Sequence, residues 1–237
     1  AALLRLGQTL RPLTPGALRN KVPAKPIDAG TRPEGKQHSR QMLILEGCVQ
    51  PGLSPNTNAA TARVLDKLGI GLIPAPDAGC CGAIDFHLDA QEDGRARMRA
   101  NIDAWWPAIE NGCEAIVQTA SGCGAFVKEY GEMLADDPDY AEKAERISHL
   151  AKDLVEILRD EDLDALTIEQ SQRLAFHCPC TLQHAQKLGG AVENVLTRLG
   201  FSLTPVADAH LCCGSAGTYS VTQPELAKEL RDNKLDA

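Results

Sequence analysis

The sequence predicts an α/β protein of two duplicated Rossmann-like modules, with short parallel sheets and cysteine loops at the carboxyl ends of the strands. Three observations lead there. Apolar runs alternate with amphipathic stretches between residues 42 and 119 in the order strand, helix, strand, helix, strand. The text Val64-Leu65-x-x-Leu68-Gly69-x-x-Leu72-x-Pro74 returns as Val195-Leu196-x-x-Leu199-Gly200-x-x-Leu203-x-Pro205. Cys48 is followed after 31 residues by Cys80-Cys81-Gly82, and Cys180 after 31 residues by Cys212-Cys213-Gly214. Thiols held at a fixed separation in a duplicated module point to something that binds them.

Taken in order, residues 1–40 contain five prolines and little periodicity, and read as a short helix followed by an irregular, basic, Pro-rich connector. The chain opens on Ala1 and enters a helical pattern midway, so it is expected to be a fragment of a longer polypeptide. The first module spans residues 41–165. It begins with a buried strand at Met42–Glu46, a loop at Pro51–Pro55, a helix from Asn56 to Leu68 stopped by Gly69, and a strand at Ile70–Ile73. A helix from about Asp89 to Glu110 and a strand at Glu114–Thr119 follow, then a helix opened by Ser121-Gly122-Cys123 and running to about Leu134, and helix over 139–160.

The second module, residues 166–237, restarts after a join at Leu163–Gln172. It has a strand at Leu174–His177, a helix from Ala191 to Leu199, a strand at Phe201–Thr204 and a helix starting near Pro224. It is expected to be truncated: the counterpart of Cys123 would fall near position 255.

Composition narrows the function classes. Of 237 residues, 43% are hydrophobic and 24% charged, which is ordinary for a globular protein. Net charge is −8; residues 1–40 hold eight Lys or Arg against two acids, +6, which leaves −14 for the rest. That acidic body argues against nucleic-acid binding. No apolar run approaches the roughly 20 residues that span a bilayer, and no secretory signal opens the chain. Nine cysteines in this context predict a reducing, cytoplasmic compartment where thiols serve metals or redox work, and an odd count fits a closed disulfide framework poorly.

Cys48, Cys80, Cys81 and Cys123 each lie just past a predicted strand, where a parallel sheet gathers its loops at one edge. Cys180, Cys212 and Cys213 hold the same places in the second module. Gly82 and Gly214 allow tight turns, and Cys123 at a helix start gains thiolate character. Four thiolates hold either zinc or an iron-sulfur cluster. Adjacent cysteines favour the cluster, because structural zinc sites use cysteines two to four residues apart; zinc and buried structural thiols stay as alternatives.

The strings GCVQPGLSPNTNAATARVL, DAGCCGAIDFHL, TASGCGAF, FHCPCTLQHAQKLGG and HLCCGSAGTYS resemble the cysteine-rich CCG-domain family, in particular the iron-sulfur subunits of glycolate oxidases. They are also similar to the CCG-domain subunit of heterodisulfide reductases, to lactate-utilisation iron-sulfur proteins and to the CCG-domain subunit of anaerobic glycerol-3-phosphate dehydrogenase. The resemblance covers the chain from about residue 40 to its end. It implies an amino-terminal ferredoxin-like region with two [4Fe-4S] clusters, whose C-x-x-C-x-x-C-x-x-x-C-P run is missing from this chain.

It implies further that Cys48, Cys80, Cys81, Cys123, Cys180, Cys212 and Cys213 bind iron-sulfur clusters of [4Fe-4S] type. FAD-containing partner subunits would oxidise glycolate to glyoxylate and pass electrons through this subunit towards a membrane acceptor, with association peripheral to the inner membrane. In the disulfide-reductase relative each module ends in C-x-x-C and five cysteines hold a non-cubane cluster; here Cys123 is followed by Gly124-Ala125-Phe126. Four thiolates then imply an ordinary cluster or a different site. The Pro-Cys position of the second module that matches the family is Cys180, leaving Cys178 as a spare.

Other residues read more plainly. Cys113 reads as a small buried hydrophobe, His87 as a capping or surface histidine, and His149 as structural. His177, His184 and His210 flank the second cysteine loops, where they are packing residues or tune a cluster from outside its ligands. Trp105-Trp106-Pro107 anchors a core with one ring and leaves the other to surface or partner contact. Glu132–Glu145 reads as a solvated helical face. No G-x-G-x-x-G, P-loop or G-x-S-x-G element is present, so substrate oxidation belongs to other subunits and electron transfer to this one. The competing readings are a thiol-disulfide or quinone reductase with the cluster as its active site, and a structural module holding zinc or nothing.

Overall fold

A computed structural model of the protein describes residues 2–13, 15, 27–35, 37–168, 173–215 and 219–236. Much of the connector (16–26), part of the inter-module join (169–172) and part of the last cysteine string (216–218) lie outside the described residues. The chain divides into two compact units, Ala1–Leu154 and Val155–Ala237.

The first unit is an α/β layer structure around a four-stranded parallel sheet. Its strands are β1 (Arg40–Ile44), β2 (Ile70–Pro74), β3 (Ile116–Gln118) and β4 (Ala151–Asp153), in the order β2-β1-β3-β4. Register pairs Arg40 with Ile70, Leu43 with Ile116 and Ile116 with Ala151. Met42, Leu43 and Ile44 are buried in succession, as expected of a parallel strand covered on both faces. Leu43 and Leu45 belong to the cluster with Met98, Ile102, Trp105, Phe126 and Tyr130. The helix Pro55–Lys67 packs on β2 and buries Ala59, Ala62 and Leu65.

The helix Gln91–Glu110 buries Gly94, Met98, Asn101, Ile102, Trp105 and Ile109, a stripe at helical spacing whose one polar side chain is Asn101. Trp105 is fully buried and stacks on Tyr130 at 6.5 Å, whereas Trp106 is half-buried under the Lys143 ammonium, as the split reading of the pair anticipates.

Two expected helices differ. The one opened by Ser121 stops at Lys128 and restarts as Tyr130–Met133. Gly131 N donates to Ser148 Oγ (2.9 Å), and a Cβ at Gly131 would stand 3.0 Å from the Glu145 Cα, so this short helix presses on its neighbour Ala141–Leu150. The helix expected over 139–160 is interrupted by β4, a three-residue strand without a β-branched side chain, which exists because β3 pairs with it. The short helices Gln50–Leu53 and Ala83–His87 were not expected either.

The connector near the first unit is tied down. Gly35 sits on the edge strand β2 so closely that a Cβ on Gly71 would fall 1.9 Å from Gly35 O. Arg63 Nη1 donates to Thr31 O (2.7 Å), while Gln37 and His38 both reach Asp66. Gly35 thus covers part of an edge that would otherwise present unpaired backbone groups.

The second unit holds a two-stranded parallel sheet of β5 (Arg173–Ala175) and β6 (Ser202–Thr204), joined through the helix Ala191–Arg198. Arg198 donates to the carbonyls of Leu158 (3.3 Å), Arg159 (2.8 Å) and Glu161 (2.8 Å), capping the end of the helix Leu154–Asp160. A π-helical turn at Thr181–Ala185 follows Cys180, and the helix Pro224–Leu235 closes the unit.

Candidate functional site: a chain of four thiols

In the first sheet the chain moves from β1 to β2 on one side and then to β3 on the other. The carboxyl ends of β1 and β3 therefore flank the point where strand order reverses, the usual ligand crevice of open α/β sheets. Cys48 follows β1 and Cys123 follows β3. Cys80 and Cys81 reach the same edge from the loop after β2.

The four thiols form a hydrogen-bonded series, Cys48 to Cys80, Cys80 to Cys81 and Cys81 to Cys123. Along it exposure falls from Cys48 at the surface to Cys81, which is 3% exposed. No disulfide joins the cysteines.

Electrostatics follow from that series. Cys123 accepts the hydrogen bond from Cys81, which stabilises its thiolate and lowers its pKa. The direction matches the expectation from the helix start, but the principal cause is the neighbouring thiol. Cys81 is pushed up to about 12, chiefly because it donates to Cys123, and burial adds to this. Cys80 is raised further by donating to Cys81, and Cys48 is raised by desolvation. Four adjacent sulfurs hold one negative charge easily and four only when a cation shares them.

Two polar networks place the series. Gln50 Nε2 donates to Asn58 Oδ1 (2.6 Å) and Thr119 Oγ1 (2.7 Å), and Asn58 Nδ2 donates to Glu46 Oε2 (2.8 Å). This ties the loop carrying Cys48 to the loop before Cys123. The second network grips the Cys-Cys turn: Asn101 Nδ2 donates to Cys80 O (2.8 Å) and Tyr130 Oη (3.1 Å), Asn101 Oδ1 accepts from Gly79 N (2.8 Å), and Tyr130 Oη donates to Cys81 O (2.6 Å). The sequence reading missed Gln50, Asn58, Thr119, Asn101 and Tyr130. Its available signal was Asn101, a lone amide on an otherwise apolar helical stripe.

The turn itself recurs. Gly82 N–H meets the Cys80 sulfur and Ala83 N–H the Cys81 sulfur. In the second unit Gly214 N–H meets Cys212 Sγ at 3.4 Å, and Ser215 N–H meets Cys213. Both glycines are left-handed, with φ of 93° and 74°.

The second unit differs in what surrounds that turn. Cys213 is held by Ser215, whose hydroxyl lies 3.3 Å from its sulfur and lowers its pKa. Cys180 and Cys212 are exposed, and Cys178 is buried. The thiol-to-thiol hydrogen bonds described above all lie in the first unit.

Of the remaining residues singled out in the sequence, Cys113 is buried, with Sγ 3.2 Å from Ala115 O. His87 is exposed, with its ring against Phe126. His149 pairs with Glu145 at 3.0 Å on an exposed face. His184 and His210 are exposed, and His177 carries two buried ring nitrogens without a hydrogen-bond partner.

As a donor set the four thiols of the first unit suit a thiophilic metal group. Among the described residues no three His, Cys, Asp or Glu side chains are grouped to hold one metal ion.

An α/β protein with paired Cys-Cys-Gly turns at its strand ends is the class that fold and site define. The cysteine-rich CCG domain matches residues 42–128 and 174–237, and the chain belongs to that family. It is 65% identical, over all of its length and 58% of the relative's, to the "Glycolate oxidase iron-sulfur subunit" of Escherichia coli. It is 28% identical to the "Probable glycolate oxidase iron-sulfur subunit" of Bacillus subtilis, over 84% of the chain and 45% of the relative. With "Lactate utilization protein A" of Geobacillus thermodenitrificans it shares 32% identity over 76% of the chain and 74% of that protein. The chain thus spans about half the length of the two glycolate oxidase relatives.

Proposed function

We propose that this chain is the cluster-bearing, electron-transfer portion of a flavin-dependent glycolate oxidase. The observation that carries the reading is the set of four interacting thiols at the switch point of the first sheet, in a chain 65% identical to a glycolate oxidase iron-sulfur subunit. In this reading Cys48, Cys80, Cys81 and Cys123 hold a cluster of [4Fe-4S] type in a module of residues 41–165. Cys180, Cys212 and Cys213 serve a second site in residues 166–237, beyond the connector of residues 1–40. A bound cluster supplies one-electron redox chemistry. The protein's own part is to desolvate it and to direct the N–H groups of Gly82 and Ala83 at its sulfur ligands.

FAD-bearing partner subunits would oxidise the 2-hydroxy acid, and a membrane acceptor would take the electrons. No helix among the described residues is long and apolar enough to cross a membrane, which accords with a cytoplasmic chain that docks on the membrane peripherally. The likeness to lactate utilization proteins favours one second reading, the same relay serving lactate.

Anaerobic purification, iron and sulfide analysis and electron paramagnetic resonance test the proposal. Iron and sulfide in equal amounts, with a signal on reduction, are expected. Protein with all its cysteines reduced that takes up no iron, or takes up only zinc, would refute it.

A further inference from the structure

The Cys80-Cys81 turn carries a problem of backbone chemistry. Successive side chains of an extended segment point to opposite sides, so two adjacent thiols serve one site only if the backbone between them leaves the extended form. Such a turn directs its carbonyls away from the site and into the protein, where each needs a donor. Here the donors are side chains from two different helices. Asn101 is 1% exposed and Tyr130 is fully buried, and between them they satisfy Gly79 N, Cys80 O and Cys81 O. Asn101 uses both amide hydrogens and its carbonyl, so its orientation is set by its partners. Gly82 closes the turn at φ 93°, and a Cβ there would lie 2.8 Å from Gly94 O on the same helix as Asn101.

We propose that Asn101 and Tyr130 are positioning residues that fix the direction of the Cys80 and Cys81 sulfurs, and so determine how tightly and with what electronic character the first site holds its cluster. The inference rests on the cluster reading of that site. The second unit carries a different residue at the corresponding helix position. Seven residues beyond the helix carbonyl that touches the turn glycine stand Asn101 (from Gly94) in the first unit and Lys234 (from Ala227) in the second. Lys234 Nζ donates to Asp208 O (2.8 Å), four residues before Cys212.

The test compares wild type, Tyr130→Phe and Asn101→Leu with a control, Tyr140→Phe, which removes a hydroxyl 2.8 Å from Asp103 at the surface. Each is purified anaerobically and loaded with ferrous iron and sulfide. Iron content, the resonance spectrum of the reduced cluster and the rate of iron loss to a chelator are read, with melting of the metal-free protein measured separately. Tyr130→Phe keeps the ring and hence the core, so it is the variant that isolates the hydroxyl.

Expected are altered g-values and iron loss faster by about tenfold or more in both variants, the range for residues that orient metal ligands, with the control unchanged. Wild-type spectra and iron retention in both variants would overturn the proposal while leaving the cluster reading intact, as would iron loss that only tracks a lowered melting temperature. Failure of the wild type itself to take up iron would remove the cluster reading and this inference with it.

Discussion

Cys81 shows how one residue's environment is assembled from parts remote in sequence. It donates to Cys123, accepts from Cys80, and its carbonyl takes the Tyr130 hydroxyl across 49 positions. The raised pKa values of Cys80 and Cys81 make the metal-free protein sensitive to alkali. In the unfolded chain these thiols ionise near pH 9, and in the folded chain well above it. Folding therefore holds protons that unfolding releases, so their contribution is complete below pH 9 and is lost as pH rises towards about 12. For the buried Cys81 the limiting slope is about 1.4 kcal/mol per pH unit. Denaturant titration of the metal-free protein from pH 8 to pH 10 is expected to show stability falling, and Cys81→Ser to flatten the fall. An equal fall in that variant would mean other groups are responsible. Cys123 works in the opposite sense: its lowered pKa adds stability above the unfolded value, which is lost as pH drops through the folded one.

At the scale of elements, the Cys-Cys-Gly turns and the helices behind them are fitted backbone to backbone. Gly82→Ala would force an L side chain to φ 93° with its Cβ 2.8 Å from Gly94 O, and Gly214→Ala would place a Cβ 2.2 Å from Ala227 O. Neither carbonyl can swing away without opening its helix. Each substitution is expected to cost about 2 kcal/mol or more, read as a lower denaturation midpoint; a change within about 0.5 kcal/mol, the ordinary surface range, would contradict the packing described. The edge of β2 offers a second case. Gly71→Ala would put a Cβ 1.9 Å from Gly35 O and push away the segment that covers the strand. Limited proteolysis is expected to cut the variant within 27–38 before wild type is cut there, and identical digestion patterns would count against this docking. Gly82 and Gly214 were legible as turn formers and Gly71 only as part of a strand, but the helix or segment each faces was not, because a Cβ clash depends on a partner from elsewhere in the chain.

For the whole molecule, the proposed function makes the four thiols of the first unit ligands of one cationic group. Loading with iron and sulfide should then raise the melting temperature, since a group that binds only the folded state adds its binding free energy to stability. A rise of several degrees that reverses when a chelator strips the iron is expected. Iron uptake with no thermal shift would place the metal on unfolded or surface thiols instead.

Periodicity and cysteine spacing are one-dimensional properties, and with them the sequence by itself determined the α/β class, most of the strands and helices, the duplication and the cysteine pattern of the candidate site. Tertiary structure alone decided that β1 lies between β2 and β3, that β4 is a strand, that four thiols of the first unit form one hydrogen-bonded series, and that Asn101 and Tyr130 hold its central turn. The reason is physical. Each of these depends on groups tens of positions apart meeting in space, as Asn101 meets Cys80 across 21 residues and Gln50 meets Thr119 across 69. Local pattern sets which face of an element is buried, and only the packed chain sets what that face meets.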